Sequence, residues 1–337
     1  MTIREEIECR EREILSPYAT LSAESEGRDV WEEPCDIRPV FQRDRDRILH
    51  SKAFRRLRNK TQVFLTPKGD HYRTRLSHTL EVSQNARTIA KALRLNEDLV
   101  EAIALGHDLG HTPFGHAGEM VLNELCEEGF RHNEQSVRIV ERLEKDGRGL
   151  NLTKEVRDGI KNHQSKLMPG TLEGKIVRLS DKIAYINHDI DDAIRAQVLT
   201  EDDIPMELKK TLGFTTRQRL NTLIHNIIKN SQERDDIVMS QEVQEAMLEL
   251  RNFMFDHVYK NPVAKGEEVK AKAMIGQLFH FYRDHTEFLP GTYLRMIDAG
   301  ESRERVICDY IAGMTDQYAI TKFSEYFLPE AWMVDGY

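Results

Sequence analysis

Five side chains that can ligate a metal ion or transfer a proton fall within thirteen consecutive residues of this 337-residue sequence. They are His107, Asp108, His111, His116 and Glu119. Hydrophobic packing does not require such a cluster. Because imidazoles and carboxylates hold divalent cations and exchange protons near neutral pH, the segment predicts metal-dependent or acid–base chemistry.

The residues around this segment predict how it is positioned. Asn96 is a suitable N-cap for a helix over 97–108, which has acidic residues in its first turn. Pro113 prevents that helix from continuing straight. A new helix is predicted from about His116, which places His116 and Glu119 three residues apart on one face.

A metal ion bound at His107 and Asp108 needs ligands from other segments, because adjacent helical residues point about 100° apart. His78 and Asp181 are the candidates, each in an apolar helical stretch where a buried, unpaired carboxylate would be costly. Two imidazoles and two carboxylates suit Mn, Fe, Co, Ni or Zn better than Ca. Four such ligands on an octahedral ion leave positions for a water and a substrate oxygen.

Composition restricts the class of protein. The chain is 39% hydrophobic, which is ordinary for a folded protein, and its net charge of −9 argues against general nucleic-acid binding. Residues 43–60 nevertheless hold eight Lys or Arg against two Asp. This basic segment predicts either a site for an anionic ligand or a solvated basic helix face.

Targeting and cofactor motifs are absent from the sequence. The four cysteines are far apart with no CxxC pair, and no signal peptide is evident, which predicts a reduced cytoplasmic protein. No apolar run approaches the roughly 18 residues of a membrane-spanning helix. P-loop and dinucleotide-binding glycine motifs are also missing.

Helical periodicity dominates the chain. Residues 1–14 predict a helix, residues 16–39 an irregular arm that buries Trp31 against the body, residues 43–57 a helix with a basic face, and residues 61–70 a short strand and turn. Further helices are predicted over about 76–93, 97–108, 116–127, 133–145, 153–163, 172–195, 215–230, 241–259, 269–284 and 302–318, with breaks at 261–266 and 290–291.

The order His, His-Asp, Asp resembles the signature of the HD phosphohydrolase superfamily. Four blocks narrow the resemblance to the bacterial deoxyguanosine triphosphate triphosphohydrolase-like family, over about residues 15–335. They are PVFQRDRDRILHSKAFRRLRNKTQVF at 39–64, GHTPFGHAGE at 110–119, RHNEQS at 131–136 and YIAGMTD at 310–316.

The resemblance implies an all-α fold with an HD phosphohydrolase core. We predict one continuous helical domain over 1–337, with the HD metal-binding core at 75–190. An N-terminal arm and basic helix occupy 15–74, and a C-terminal helical elaboration occupies 196–337.

The implied activity is metal-dependent hydrolysis of deoxynucleoside triphosphates, dGTP or all four, to deoxynucleoside and inorganic tripolyphosphate. One divalent ion (Mn, Mg, Fe, Co, Ni or Zn) per subunit is expected on His78, His107, Asp108 and Asp181. The expected catalytic residues are His116, Glu119 and His132, with His132 either an acid for the leaving oxygen or an electrostatic clamp.

The expected substrate contacts divide between phosphate and sugar. Arg75, on the same helix face as His78, and Lys182 would offset phosphate charge, and His111 would line the same pocket. The resemblance assigns Gln62, Tyr185 and Asp189 to the deoxyribose.

Alternatives remain open at this point. The chain could be an HD phosphodiesterase or nucleotidase acting on another phosphate ester, or a regulator that senses deoxynucleotides or single-stranded DNA with weak hydrolysis. A second metal could bind through His132 and His163. Base preference and the native metal are undetermined, and a homo-oligomer with an allosteric nucleotide site is a further expectation.

Overall fold

A computed structural model describes residues 1–62, 73–164, 166–259 and 262–329. Within these ranges the chain forms sixteen α-helices, and its β structure is one isolated bridge between Thr61 and Thr74. The all-α prediction is confirmed. Residues 63–70 of the predicted strand and turn lie outside the described residues.

The N-terminal part contains five helices. The first begins with a capping box, in which the Thr2 hydroxyl accepts from the Glu5 amide and the Glu5 carboxylate accepts from the Thr2 amide. The predicted helix over 43–57 is two helices, because the Ser51 hydroxyl accepts from the Phe54 amide and starts a new one. The helices are α1 (Ile3–Ile14), α2 (Val40–Leu49), α3 (Lys52–Arg56), α4 (Arg75–Leu93) and α5 (Glu97–Gly106).

The middle of the chain contributes four helices that match the predicted ones to within a few residues. The second of them continues into one π-helical turn, Ile139–Leu143. These helices are α6 (His116–Leu125), α7 (His132–Arg138), α8 (Lys154–Asn162) and α9 (Leu172–Arg195).

The C-terminal part contains seven helices, of which the first and the fifth are not predicted by the sequence pattern, and it departs from prediction at two further places. The break predicted at 261–266 is wrong over residues 262–266, because a helix begins at Pro262. Proline is favoured in a first turn because its missing N–H would be unpaired there. The predicted helix over 302–318 is two helices, since Thr315 caps a new one. The seven are α10 (Met206–Leu212), α11 (Thr216–Ser231), α12 (Gln241–Met254), α13 (Pro262–Asp284), α14 (Gly291–Asp298), α15 (Arg303–Ala312) and α16 (Asp316–Phe327).

The prediction that Trp31 anchors the N-terminal arm is wrong, because this side chain is 83% exposed. Polar contacts attach the arm instead. Arg28 forms an ion pair with the fully buried Asp44, whose carboxylate also accepts from the Thr153 amide at 2.8 Å. A buried carboxylate needs such partners, so the arm is fixed by charge pairing.

The first three arginines of the basic segment 43–60 form ion pairs within the chain. Arg43 and Arg47 both pair with Glu32, and Arg45 reaches Asp98 at 3.2 Å. Neither the anionic-ligand nor the solvated-face interpretation fits these arginines, because their charges hold the arm and α5 against α2.

Two apolar clusters form the interior. The larger one lies among α4, α5, α8, α9 and the helices that cover them, and α4, α5 and α9 pack directly on one another. The second lies among α6, α13, α15 and α16. The candidate site lies where these groups of helices meet. Among the described residues, no helix is both long and apolar enough to cross a membrane.

Candidate active site

The structure brings the four predicted metal ligands together from three helices. His78 lies on α4, His107 and Asp108 at the end of α5, and Asp181 on α9. His78 Nε2 is 3.1 Å from Asp181 Oδ1 and 3.9 Å from Asp108 Oδ2. His107 Nε2 is 3.3 Å from Asp108 Oδ1 and 3.7 Å from Asp181 Oδ1. Both imidazoles and Asp108 are buried.

The protonation of His107 indicates that a cation fits this position. Its Nδ1 lies 2.7 Å from the Ala104 carbonyl oxygen, so Nδ1 carries the proton and Nε2 presents a lone pair. That Nε2 is buried and has no hydrogen-bond partner among the described residues. A lone pair facing the oxygens of Asp108 and Asp181 is repulsive unless a positive ion lies between them.

Asp108 is held as a carboxylate by its other neighbours. Arg75 donates to its Oδ2 at 2.9 Å, and His111 Nδ1 lies 3.0 Å from its Oδ1. Burial alone would raise the pKa of Asp108, but its contacts with His107, His111 and the Arg75 guanidinium outweigh burial and hold that pKa well below its usual range. The carboxylate is therefore ionised and available as a ligand.

Gly115 allows the loop before α6 to approach Arg75. Its φ of +56° favours glycine, and a Cβ at this position would lie 3.1 Å from the Arg75 guanidinium. Arg75 is 3% exposed, and its Nε has no partner among the described residues. A second acceptor, such as a phosphate oxygen, would satisfy this buried donor.

Glu119 lies between two histidines and is closer to His132. It accepts from the His132 amide at 2.9 Å, and its Oε1 is also 2.9 Å from His132 Nδ1, whereas its Oε2 is 3.3 Å from His116 Nδ1. Burial would raise the pKa of Glu119, but the hydrogen bonds from His116 and His132 hold it far below its usual range. The His116 side chain is 66% exposed, so this histidine lies at the solvent side.

His132 contacts histidines on two sides. Its ring stacks on His111 with centroids 3.8 Å apart, and its Nε2 lies 3.3 Å from His163 Nε2. His163 donates through Nδ1 to the Ile160 carbonyl at 2.7 Å, and burial lowers its pKa to about 4, so its Nε2 is an acceptor at neutral pH. Because Nδ1 of His132 faces Glu119, a doubly protonated His132 satisfies both contacts.

Gly110 allows the RHNEQS segment at 131–136 to pack closely against the residues that follow α5. A Cβ at Gly110 would lie 2.2 Å from the His132 carbonyl oxygen, and the Gly110 amide donates to the Ser136 hydroxyl at 2.8 Å. The Ser136 hydroxyl in turn donates to the His107 carbonyl at 2.8 Å. This packing places the start of α7, and with it His132, beside the end of α5.

A second group of possible ligands is also present: Asp108, His111 and His132 offer donor atoms within 4.8 Å of one another. The first group, His78, His107 and Asp108, meets the same criterion. Asp108 is common to both.

Of the residues assigned to the sugar, two lie on α9, and Gln62 directly follows Thr61 of the isolated β-bridge. Tyr185 and Asp189 lie one turn apart on α9, and the hydroxyl of Tyr259, which the sequence did not single out, donates to Asp189 Oδ2. Asp189 Oδ1 and Gln62 Oε1 are buried and lack hydrogen-bond partners among the described residues. Burial raises the pKa of Asp189 to about 8.

Lys182 lies on α9 directly after Asp181. Burial beside Arg178 lowers the pKa of its ammonium to about 8, which leaves the protonated form in the majority at pH 7. Its position therefore suits contact with an anionic group bound near Asp181.

Lys60 and Asp316 form hydrogen bonds with backbone groups next to the site, and the sequence did not predict this role. Lys60 is 2% exposed, and its Nζ donates to the carbonyls of His111 and Ala312, the latter at 2.7 Å. Asp316 accepts from the Phe114 amide and from the Thr61 amide, each at 3.0 Å. Both residues occur in the family-like blocks, but pairing a residue near 60 with one near 316 requires the fold.

Replacing Asp316 with Asn is expected to lower the free energy of unfolding by about 1–3 kcal/mol. Asn offers one acceptor oxygen in place of two, so its NH₂ would face the amide donor of either Phe114 or Thr61. Urea unfolding with EDTA present measures the change. The exposed Asp298→Asn is the matched control, and equal unfolding midpoints for the two variants would contradict this role of Asp316.

Comparison with known proteins identifies the class. Residues 75–186 match the HD domain, and residues 237–325 match the phosphohydrolase-associated domain. The fold is similar to that of a phosphohydrolase from Bacteroides thetaiotaomicron, with a TM-score of 0.52 and 18% identity over 84% of this chain and 69% of that chain. The fold and site define an HD-domain phosphohydrolase.

Two relatives identify the family within this class. A deoxyguanosinetriphosphate triphosphohydrolase-like protein from Caldanaerobacter subterraneus subsp. tengcongensis is 58% identical over 98% of both chains. One of the same description from Desulfatibacillum aliphaticivorans is 50% identical over 98% of this chain and 99% of the relative. The chain belongs to the deoxyguanosinetriphosphate triphosphohydrolase-like family, which confirms the resemblance carried by its motifs.

Proposed function

We propose that this protein hydrolyses deoxynucleoside triphosphates to deoxynucleoside and inorganic tripolyphosphate. The proposal rests on the buried Nε2 of His107, which faces two carboxylates and has no hydrogen-bond partner among the described residues. Three other buried atoms also lack partners there: Arg75 Nε, which could donate to a phosphate, and Gln62 Oε1 and Asp189 Oδ1, which could bind the sugar. The names of the relatives support the same reaction.

His78, His107, Asp108 and Asp181 would hold one divalent cation, which supplies Lewis-acid polarisation of a phosphoryl oxygen and a bound water. Their donor set of two imidazoles and two carboxylates fits Mn, Fe, Co, Ni or Zn, and Mg is included by the family resemblance.

The cationic side chains would neutralise the triphosphate. Arg75 has an unused buried Nε beside the site, and Lys182 carries a charge next to Asp181. His111 lines the same pocket against Asp108, but burial lowers the pKa of His111, so it is not one of these cations. A triphosphate carries about four negative charges, which one divalent ion does not offset, so these groups are needed for binding and for charge stabilisation in the transition state.

Proton transfer is assigned to the two histidines that share Glu119. His132, fixed between Glu119 and His163, is suited to donate its Nε2 proton to the leaving 5′ oxygen or to hold the phosphate charge. His116 lies at the solvent-exposed side of Glu119, where a proton can exchange with water. The carboxylate keeps both rings oriented.

Selectivity for the deoxy sugar is a testable consequence. Tyr185 lies one turn from Asp181 and packs near Tyr259, with ring centroids 5.9 Å apart. A 2′-hydroxyl meeting this surface would lose its water partners, at a cost of about 1–3 kcal/mol, so we expect dGTP to be preferred over GTP by roughly 10- to 100-fold.

Tyr185→Ala should narrow this preference by raising kcat/KM for GTP. Asp189→Asn should instead lower kcat/KM for both nucleotides, because both carry the 3′-hydroxyl that the free Oδ1 of Asp189 is placed to bind. Steady-state kinetics with each nucleotide measures both effects. Equal hydrolysis of GTP and dGTP by the unaltered protein would contradict the sugar assignment.

The reaction itself is tested by incubating the purified protein and Mn²⁺ with each deoxynucleoside triphosphate and separating the products by anion-exchange chromatography. We expect equimolar deoxynucleoside and tripolyphosphate. Pyrophosphate or single phosphate as the first product would instead indicate an HD phosphodiesterase or nucleotidase.

A further inference from the structure

We propose that His188 and Glu81 are positioning residues that fix the ring orientation and tautomer of His78 for metal binding. This inference rests on the proposed metal site. It concerns a side of His78 that faces away from the other ligands, and it assigns a role to a buried histidine that takes no part in the proposed reaction.

Contacts run continuously from His78 to the protein surface. His78 Nδ1 lies 3.5 Å from His188 Nδ1, and the two rings are nearly perpendicular, with centroids 5.7 Å apart. His188 is 4% exposed, and its Nε2 contacts the Glu81 carboxylate directly. Glu81, 40% exposed at its side chain, connects this chain of contacts to solvent.

Only one arrangement of protons satisfies all these contacts when His78 binds a metal. His78 Nε2 faces the Asp108 and Asp181 carboxylates, so a metal ion there would take the Nε2 lone pair and leave the ring proton on Nδ1. His78 Nδ1–H then donates to His188 Nδ1, which must be the acceptor. His188 therefore carries its proton on Nε2 and donates it to Glu81.

Arg73 binds Glu81, the residue at the solvent-exposed end of these contacts. Its Nε lies 3.4 and 3.3 Å from the two Glu81 oxygens, and its terminal nitrogens pair with Asp191 at 3.0 Å and Asp192 at 3.1 Å. Glu81 lies on α4 three residues, or about one helical turn, after His78, while His188 lies on α9. The two helices that carry His78 and Asp181 are thus also joined on the outer side of His78.

The alternative tautomer would weaken metal binding. If His188 were replaced by a group that cannot accept a hydrogen bond, the His78 Nδ1 proton would be buried without a partner, and the Nε2–H tautomer, which cannot bind metal, would become competitive. Loss of such an outer hydrogen bond typically lowers metal affinity by about 10- to 100-fold.

The test compares three variants by calorimetric titration of the metal-free protein with Mn²⁺. We expect His188→Phe to weaken binding by about 10- to 100-fold. His188→Asn should recover most of the affinity, because its amide oxygen can accept near the former Nδ1. Glu81→Gln, at a half-exposed position that tolerates substitution, keeps an acceptor but loses the charge, and it should weaken binding less than His188→Phe.

The matched control is Asn187→Ala on the same helix. Asn187 is fully buried, but its amide faces Arg219 at 3.2 Å, away from His78. The Asn187→Ala substitution should lower the free energy of unfolding of the metal-free protein without changing its affinity for Mn²⁺. For the His188 and Glu81 variants we expect kcat at saturating Mn²⁺ to remain near that of the unaltered protein.

The outcomes separate this inference from the proposed function. If the unaltered protein binds Mn²⁺ and both His188→Phe and Glu81→Gln bind it equally well, the positioning role is refuted and the metal site stands. If the unaltered protein binds no divalent ion, the metal site itself is refuted, and this inference with it.

Discussion

Replacing Asp181 with Ala is expected to abolish bound metal and turnover together while the helical fold is kept. Asp181 reaches both imidazoles through one oxygen, Oδ1, which lies 3.1 Å from His78 and 3.7 Å from His107. Its side chain is 25% exposed, so truncation removes a ligand without opening a large cavity in the core. One coordination site accounts for both losses.

The electrostatics of the site strengthen this expectation. Burial would raise the pKa of Asp181, but the hydrogen bond with His78 and the neighbouring His107 hold it well below its usual range, so the residue is an ionised ligand throughout the physiological pH range. Without it, His78 and His107 lose one of the two carboxylates that lie next to both of them.

Elemental analysis and circular dichroism measure metal content and helical content of Asp181→Ala. The control is Asp158→Ala on the neighbouring helix α8, whose carboxylate accepts from the Gly170 amide and contacts no proposed ligand. The control should keep the metal content of the unaltered protein, which we expect to be one ion per chain. Full metal content in Asp181→Ala would refute the ligand assignment.

Replacing Glu119 with Gln is expected to lower kcat by about 100-fold or more while the metal remains bound. Glu119 lies between His132 and His116 and is not among the proposed ligands. The neutral amide keeps the shape but removes the negative charge that stabilises a protonated histidine on either side. The change therefore affects proton transfer and leaves the coordination of the ion intact.

Stopped-assay kinetics at saturating dGTP and Mn²⁺ measure kcat for this variant. Glu124→Gln, an exposed glutamate on the same helix, is the control and should behave as the unaltered protein. A Glu119→Gln variant with unchanged kcat and full metal content would show that proton transfer uses another route, with His132 the next residue to replace.

The residues that converge at the site could be predicted from sequence because each stands out against its local pattern. His78 and Asp181 interrupt apolar helical stretches, and His107 with Asp108 ends a capped helix. The structure places each of the two imidazoles within 3.9 Å of an oxygen of both carboxylates. Their role as ligands stays a proposal.

The contacts around the site were less predictable because they join segments far apart in the chain. Lys60 donates to the backbone carbonyl of Ala312, and His188 contacts both His78 and Glu81, but the spacing of these residues in the sequence shows no common pattern. The exposed Trp31 shows the converse: an aromatic residue in a polar arm predicted burial, but ion pairs such as Arg28 with Asp44 hold the arm.

Some predicted helix boundaries were wrong because single residues at those positions start new helices. The basic helix divides at Ser51 because a hydroxyl cap competes with helix continuation, and a helix starts at Pro262 where a break was predicted. Both residues favour helix starts as well as loops, so periodicity alone does not distinguish the two.

The most direct test of the central claim is hydrolysis of dGTP in ¹⁸O-labelled water, with mass spectrometry of both products. If water attacks the α-phosphorus at this site, one ¹⁸O appears in tripolyphosphate and none in deoxyguanosine, and the triphosphate chain leaves intact. Label in deoxyguanosine, or label in pyrophosphate or monophosphate released as the first product, would contradict the proposed reaction.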